Sequence, residues 1–259
     1  MILDKPYYII DFSVFNCFID IRVNDVSVFC LNMKEQTGTT IPINNVILES
    51  GVQRVTYNIL PLLGETELQE NADFKASVCL YDANRERIEK VEKLNSYRIP
   101  KSSNGIPIPF YKHEDVFKAE VPYKLDAWQN SIKLGDIPDL RWMVDKAYKD
   151  ISSLFEFGRY NDFGSLINER ENNIATCMYL SEIEKTRRIN SLIDILQNGF
   201  KIVPVSYNDI MLTHGYEKLV TLKKPDSSSA LLLRNPQGEE INIELNFHLK
   251  QGNNELSII

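Results

Sequence analysis

Residues 7–23 read YYIIDFSVFNCFIDIRV, a run in which apolar and polar side chains alternate with a period of two. Its main apolar positions are Ile10, Phe12 and Val14 in the first part and Cys17, Ile19, Ile21 and Val23 in the second. Such alternation is typical of β-strands with one buried face. The apolar phase changes from even to odd positions near Phe15–Asn16, which predicts a bulge or a turn there.

More strand signals follow in the first half of the chain. Asn24-Asp25 stands between two apolar runs, and two residues that tolerate positive φ at such a place predict a tight hairpin. Further strands are predicted around residues 55–59, 74–80, 87–98 and 115–122. The proline-containing segment 102–109 is predicted to be an exposed loop. We therefore predict that residues 1–134 form an antiparallel β-sandwich.

The hydrophobic period changes after Gly135–Pro138, where we place the domain boundary. Apolar residues from Leu140 to Phe155 recur at helical spacing, and a shorter helix is predicted from Tyr160 to Ile167. A capping box, Ser181-x-x-Glu184, predicts the start of a third helix.

The last fifty residues return to strand patterns. Four strand-like runs, at 219–223, 230–234, 241–249 and 256–259, are separated by turn sequences. The predicted fold class is α+β with two domains. The N-terminal domain is the sandwich, and residues 138–259 form helices packed on a curved antiparallel four-strand meander.

Composition limits the classes of function. The chain has 259 residues, 43% of them hydrophobic and 25% charged, which are the values of an ordinary globular protein. Its net charge of −7 argues against nucleic-acid binding, which needs clustered lysine and arginine. No apolar run is long enough for a membrane helix or a signal-peptide core, so we predict a cytoplasmic protein. The alternative is that Met1 stands in place of a removed leader.

Motifs for catalysis, cofactors and metals are missing from the sequence. It contains no Walker loop, no Gly-x-Ser-x-Gly and no Cys-x-x-Cys, so we predict no cofactor and no metal. The four cysteines are Cys17, Cys30, Cys79 and Cys177. We interpret them as structural thiols, with a Cys17–Cys30 disulfide as the alternative in an oxidising compartment.

The order of three helices and a four-strand meander over residues 138–259 resembles the cystatin-like fold of nuclear-transport-factor-like proteins. The first half is similar to immunoglobulin-like and jelly-roll modules. The pairing of two such parts resembles that in bacterial proteins linked to secretion-system loci. In enzymes of the cystatin-like fold, the resemblance implies polar catalytic residues between the helices and the sheet.

The three histidines, His113, His214 and His248, are far apart in the sequence. His113 is predicted to be a surface residue and His214 a loop residue. Glu244 and His248 share the polar face of the predicted strand 241–249, opposite its apolar face. If the helices cover the apolar face, these two residues point outward, which is a poor place for an acid–base pair. We therefore name no catalytic residue.

Aromatic residues near the helices are the better candidates for binding. Trp142, Tyr148, Tyr160 and Tyr179 are possible ligand or partner contacts, and the alternative is that they belong to the core or its edge.

The leading hypothesis is a non-enzymatic protein that recognises another protein, in one version a secretion-linked immunity protein. One alternative is a small-molecule or enzymatic pocket in the C-terminal half, and another is carbohydrate binding by the sandwich. An open sheet edge or face also leaves homodimerisation through the C-terminal sheet open.

Overall fold

A computed structural model of the chain describes residues 3–83, 89–101 and 108–259. It contains two compact units, residues 1–124 and residues 125–259. Met1 and residues 102–107 of the predicted loop lie outside the described residues.

Unit 1 is built from antiparallel strands. In chain order they are β1 (Pro6–Phe15), β2 (Cys17–Val23), β3 (Val26–Met33), β4 (Thr37–Pro42), β5 (Gly51–Leu60), β6 (Asp73–Asp82), β7 (Glu89–Lys93), β8 (Tyr97–Arg98) and β9 (Tyr111–Ala119). One sheet has the order β4-β1-β6-β7, with β8 also paired to β6, and the other has the order β3-β2-β5-β9. Two antiparallel sheets of this kind give unit 1 a sandwich-like architecture.

The phase change at Asn16 marks the passage from one sheet to the other. Asn16 has a φ of 54°, and it separates β1 in the first sheet from β2 in the second. The even-numbered apolar residues of β1 and the odd-numbered ones of β2 are all buried. The predicted hairpin is also confirmed, because Asn24 and Asp25 both have positive φ between β2 and β3.

Aromatic side chains fill the interior of unit 1. Phe12 of β1 lies 5.1 Å from Phe29 of β3, and Phe74 of β6 lies 5.5 Å from Tyr57 of β5, measured between ring centroids. Each pair joins one sheet to the other, so the buried faces of the two sheets share one core.

Unit 2 contains four helices and seven short strands in the described part of the chain. The helices are α1 (Leu140–Glu156), α2 (Tyr160–Leu166), α3 (Asn168–Cys177) and α4 (Glu182–Gln197). The strands are β10 (Lys201–Val203), β11 (Ile210–His214), β12 (Leu219–Lys223), β13 (Leu231–Arg234), β14 (Glu240–Ile243), β15 (Phe247–His248) and β16 (Ser257–Ile258). The predicted α+β class is confirmed.

The prediction of one four-strand meander is wrong. The strands form two antiparallel sheets, one of order β10-β13-β14 and one of order β11-β12-β15-β16. The expected strand 241–249 is interrupted, because pairing with β13 ends at Ile243 and pairing with β12 begins at Phe247. Residues 244–246 carry the chain from one sheet to the other, and an alternating pattern continues through such a crossing without revealing it.

The helices follow the sequence signals with one exception. The capping box is present, since the Ser181 hydroxyl accepts from the Glu184 N–H and the Glu184 carboxylate accepts from the Ser181 N–H. Helix α3 was not predicted, because its sequence NERENNIATC has too few apolar residues to show a helical stripe. Among the described residues, no helix is both long and apolar enough to cross a membrane.

Candidate functional site

One depression in unit 2 is a partly open cleft of about 960 Å³ beside α1 and α3. We call it the α1/α3 cleft. Its lining comes mainly from α1, the end of α2, α3 and the C-terminal segment. The lining residues are Asp126, Trp142, Met143, Lys146, Ala147, Asp150, Ile151, Ser165, Leu166, Asn168, Glu169, Asn172, Asn173, Phe247, Lys250, Asn253, Asn254, Glu255, Leu256, Ser257 and Ile258. Helix α1 supplies one wall, α3 supplies another, and the segment 250–258 supplies the third side.

Trp142 is a large apolar side chain that lines the cleft and is exposed to solvent. The hydrophobic stripe of α1 consists of Leu140, Val144, Tyr148, Ile151 and Phe155, all of which are buried. Trp142 lies outside this stripe and is 65% exposed. Leu166, at the end of α2, is also exposed and lines the same cleft. The core of unit 2 therefore does not account for Trp142.

Charged side chains around the cleft are only partly paired. Lys146 contacts Asp150 at 2.7 Å, and Lys250 contacts Glu169 at 2.6 Å. Asp126 and Glu255 have no ion pair in the part of the chain that the structure describes. With both lysines neutralised by a carboxylate, the cleft keeps an excess of negative charge.

A buried polar chain leads from the cleft into unit 2. The Ser131 hydroxyl lies 2.7 Å from His248 Nδ1, and Glu169 Oε1 lies 3.7 Å from His248 Nε2. Burial lowers the pKa of His248, although the Glu169 carboxylate acts in the opposite direction. A neutral imidazole can accept a hydrogen bond from the Ser131 hydroxyl at Nδ1, which leaves the ring proton on Nε2. Nε2 is buried and has no hydrogen-bond partner among the described residues. Glu169 reaches the cleft, but Ser131 and His248 do not line it. Because 3.7 Å is too long for a hydrogen bond, His248 lies beneath the Glu169 carboxylate without binding it.

The predicted outward direction of His248 is wrong. His248 is fully buried, and Glu244 instead pairs with Lys223 at 2.8 Å. The alternation of β15 is preserved, with Phe247 against Tyr148 and His248 on the opposite side. That side is covered by Ser131 and by Glu169 of α3, the helix that the sequence did not reveal.

Of the other two histidines, His214 differs from its prediction as a loop residue, while His113 is only partly exposed. His214 is buried at the end of β11, where its Nε2 lies 3.0 Å from Asn246 Oδ1. His113 is half-buried and stacks on Tyr97 at 3.9 Å between ring centroids. Strand pairing removes His214 from solvent and partly covers His113, although the local sequence context of each indicates an exposed position.

The remaining predicted contact residues do not meet Trp142 in the cleft. Tyr148 is in the core, and its hydroxyl accepts from the Leu222 N–H at 3.2 Å. Tyr160 stacks on Phe155 at 6.2 Å, at the edge of the core. Tyr179, with a φ of 58°, lies in the connection between α3 and α4. Of the four, Trp142 alone lines the cleft.

The four cysteines are free thiols, of which Cys30 is exposed. Burial raises the pKa of Cys17 and of Cys177 to about 12, which keeps both protonated. Within the described ranges, His, Cys, Asp and Glu side chains form no group of three arranged to hold a metal ion.

Comparisons with known proteins give no family for this chain. No protein-family model matches it. No curated protein and no solved structure shows significant similarity to it.

Proposed function

We propose that this chain is a non-enzymatic binding protein that takes a polypeptide segment of a partner in the α1/α3 cleft. The observation that carries the proposal is the exposure of Trp142 at the wall of that cleft. Exposing the apolar surface of a tryptophan to water is unfavourable in free energy. A tryptophan that becomes buried at an interface is among the residues that contribute most to the binding energy.

Amide side chains of the cleft support a polypeptide as the ligand. Five asparagines line it: Asn168, Asn172, Asn173, Asn253 and Asn254. The amides of Asn168, Asn253 and Asn254 have no hydrogen-bond partner among the described residues. Each amide offers both a donor and an acceptor, which matches the N–H and C=O of an extended peptide.

Charge supports a cationic partner segment. Asp126 and Glu255 are unpaired in the described part of the chain, and the whole chain carries a net charge of −7. An acidic protein surface attracts a basic partner over about 10 Å at moderate ionic strength. A secretion-linked immunity protein that covers a basic site on a toxin is one version of this proposal.

Photo-cross-linking in the native cell tests the proposal. A photoreactive phenylalanine analogue replaces Leu166 in the cleft, and in a second variant it replaces Phe157, which is 77% exposed but does not line the cleft. We expect a defined protein adduct from position 166 and not from position 157. Mass spectrometry identifies the partner, which is then purified.

Affinity for the purified partner completes the test. Trp142→Ala is expected to weaken binding at least tenfold, because truncating an interface anchor costs about 2 kcal/mol or more. Phe157→Ala, at the exposed aromatic residue that directly follows α1 and does not line the cleft, is the control and is expected to leave the affinity unchanged. The absence of a cleft-specific adduct, or an unchanged affinity of Trp142→Ala, would contradict the proposal.

A small-molecule ligand in the same cleft is the second candidate. The cleft volume of about 960 Å³ supports it, since small-molecule sites commonly measure about 300–1,000 Å³. Cross-linking distinguishes the two, because a small ligand yields no protein adduct at position 166. Carbohydrate binding by unit 1 and homodimerisation through a sheet of unit 2 also stay proposals.

The finer family relationships are proposals as well. The order of helices followed by strands supports a relationship of residues 138–259 to cystatin-like proteins, while the division of the strands into two sheets weakens it. The two sheets of unit 1 support a relationship to immunoglobulin-like or jelly-roll modules.

A further inference from the structure

A second depression in unit 2 lies between α3 and α4 and measures about 580 Å³. We call it the arginine hollow, because Arg170, Arg187 and Arg188 all line it. Asn168 and Glu169 of the same helix α3 face the α1/α3 cleft instead, so the two depressions use different residues. With Glu171 and Glu184 also in its lining, the arginine hollow keeps a small excess of positive charge in a chain whose net charge is −7.

The carboxylates in the hollow do not satisfy its arginines. Glu171 is buried, and its Oε2 accepts from Arg188 Nε at 3.0 Å. Its other oxygen lies 3.8 Å from Arg170 Nη1, which is too long for a hydrogen bond. Glu184 is held by the capping box, where Ser181 N–H and Oγ–H both donate to it at 2.7 Å. Arg187 has no carboxylate partner in the part of the chain that the structure describes.

Guanidinium groups in this position favour an additional anion. Burial lowers the pKa of Arg170, and the nearby positive charge of Arg188 acts in the same direction, while Glu171 opposes it. The Arg170 side chain is 26% exposed and has no hydrogen-bonded carboxylate within the described ranges. A partly buried guanidinium of this kind is stabilised by an oxyanion, which it can bind through two N–H groups.

Apart from Ser191, the rest of the lining is apolar. Leu180, Ile189, Leu192 and Ile195 surround the arginines, and Ile195 is substantially exposed. An inorganic anion would leave these side chains in water, whereas a ligand with an apolar part would cover them. The hollow thus combines a polar, positively charged end with an apolar wall.

We propose that the arginine hollow binds an oxyanion head group, a carboxylate or a phosphate, that is carried on an apolar chain. Arg170 and Arg187 hold the head group, Glu171 keeps Arg188 in place, and the leucine and isoleucine side chains cover the chain of the ligand. This proposal is independent of the α1/α3 cleft.

Titration of the full chain with four probes tests the site. The probes are octanoate, octyl phosphate, inorganic phosphate and 1-octanol, each below its micelle concentration or solubility limit, with calorimetry as the readout. We expect saturable binding of octanoate or octyl phosphate, and the stronger of the two identifies the head group. Inorganic phosphate and 1-octanol, which each lack half of the ligand, are expected to bind at least tenfold more weakly.

Substitutions locate the binding. Arg170→Gln and Arg187→Gln are each expected to weaken the amphiphile about tenfold, the loss of one charge-assisted contact. Arg187 is exposed, so its variant keeps the test valid if Arg170→Gln does not fold. Arg159→Gln, outside the hollow, is the control and is expected to bind as the wild type does. The proposal is overturned if neither amphiphile binds, if either half-probe binds equally well, or if Arg187→Gln has no effect.

Discussion

At the residue scale, His248 best illustrates how burial changes the properties of a side chain. Its ring is fully buried between Ser131 on one nitrogen and Glu169 on the other. Burial disfavours the imidazolium ion, so the pKa of His248 is lowered from its ordinary value of 6.5. Glu169, Lys250 and Asp126 are the charged groups that act on it, and their opposing signs leave burial as the dominant cause.

This lowered pKa predicts a loss of stability in acid. At pH values between the pKa of His248 in the folded protein and its pKa in the unfolded chain, the unfolded chain binds the proton and the folded protein does not. The contribution of His248 to the free energy of unfolding is therefore present in full above about pH 6.5. It is lost as the pH falls through the pKa of His248 in the folded protein. We expect the free energy of unfolding, measured by urea titration, to fall over this range.

His248→Gln is the matching variant for this prediction. Glutamine keeps a hydrogen-bonding group near Ser131 but does not titrate, so this variant is expected to lose less stability than the wild type between pH 7.5 and pH 5. Carboxylates elsewhere contribute equally to both proteins. Equal pH dependences of the two proteins would show that His248 is not the source.

At the element scale, α3 and α4 differ in what makes them helical. Helix α4 begins at a capping box that the sequence displays openly, Ser181 with Glu184. Helix α3 carries few apolar residues, and its buried members include the charged Glu171, which is held by Arg188. Tertiary contacts, rather than a hydrophobic stripe, therefore stabilise α3.

The capping box predicts a measurable cost of substitution. Ser181→Ala removes the hydroxyl that accepts from the Glu184 N–H, and such a change costs about 1 kcal/mol. Thr186→Ala, at an exposed position within the same helix, is the control. It is expected to be neutral or slightly stabilising, because alanine is the better helix former. Urea unfolding of both variants checks the prediction, and an equal effect of the two would contradict it.

At the scale of the whole molecule, each unit has a core of its own. In unit 2, the residues before the first helix belong to that core. Leu134 is fully buried within it, and its N–H donates to the Glu217 carbonyl at 2.7 Å. The Ile132 N–H donates to the Leu249 carbonyl at 2.9 Å, and Ser131 contacts His248.

These contacts predict how fragments of unit 2 behave. A fragment of residues 125–259 is expected to fold by itself, as judged by circular dichroism and a dispersed amide NMR spectrum. A fragment of residues 138–259 lacks Leu134 and the Ser131 hydroxyl. We expect it to be less stable by at least about 2 kcal/mol, since the loss of one buried leucine side chain alone costs about 2–5 kcal/mol. Equal stability of the two fragments would contradict this account.

Local signals in the sequence were sufficient for much of the fold. The phase change at Asn16, the Asn24-Asp25 hairpin, the apolar stripe of α1 and the capping box of α4 each depend on residues close together in the chain. Each is also confirmed by the structure, because turn conformation, amphipathic spacing and capping are properties of short segments.

Only the tertiary structure decided the sheet partners and the candidate sites. The alternation from Ile241 to Leu249 specifies which side chains oppose each other, but not that the chain changes sheets at residues 244–246. It also does not specify what covers each face, and so it placed His248 in solvent instead of against Ser131 and Glu169. The α1/α3 cleft and the arginine hollow both depend on α3, whose polar sequence becomes a helix through contacts with residues distant in the chain. Burial depends on the neighbours that a residue acquires on folding, and the local alternation of apolar and polar residues does not determine those neighbours.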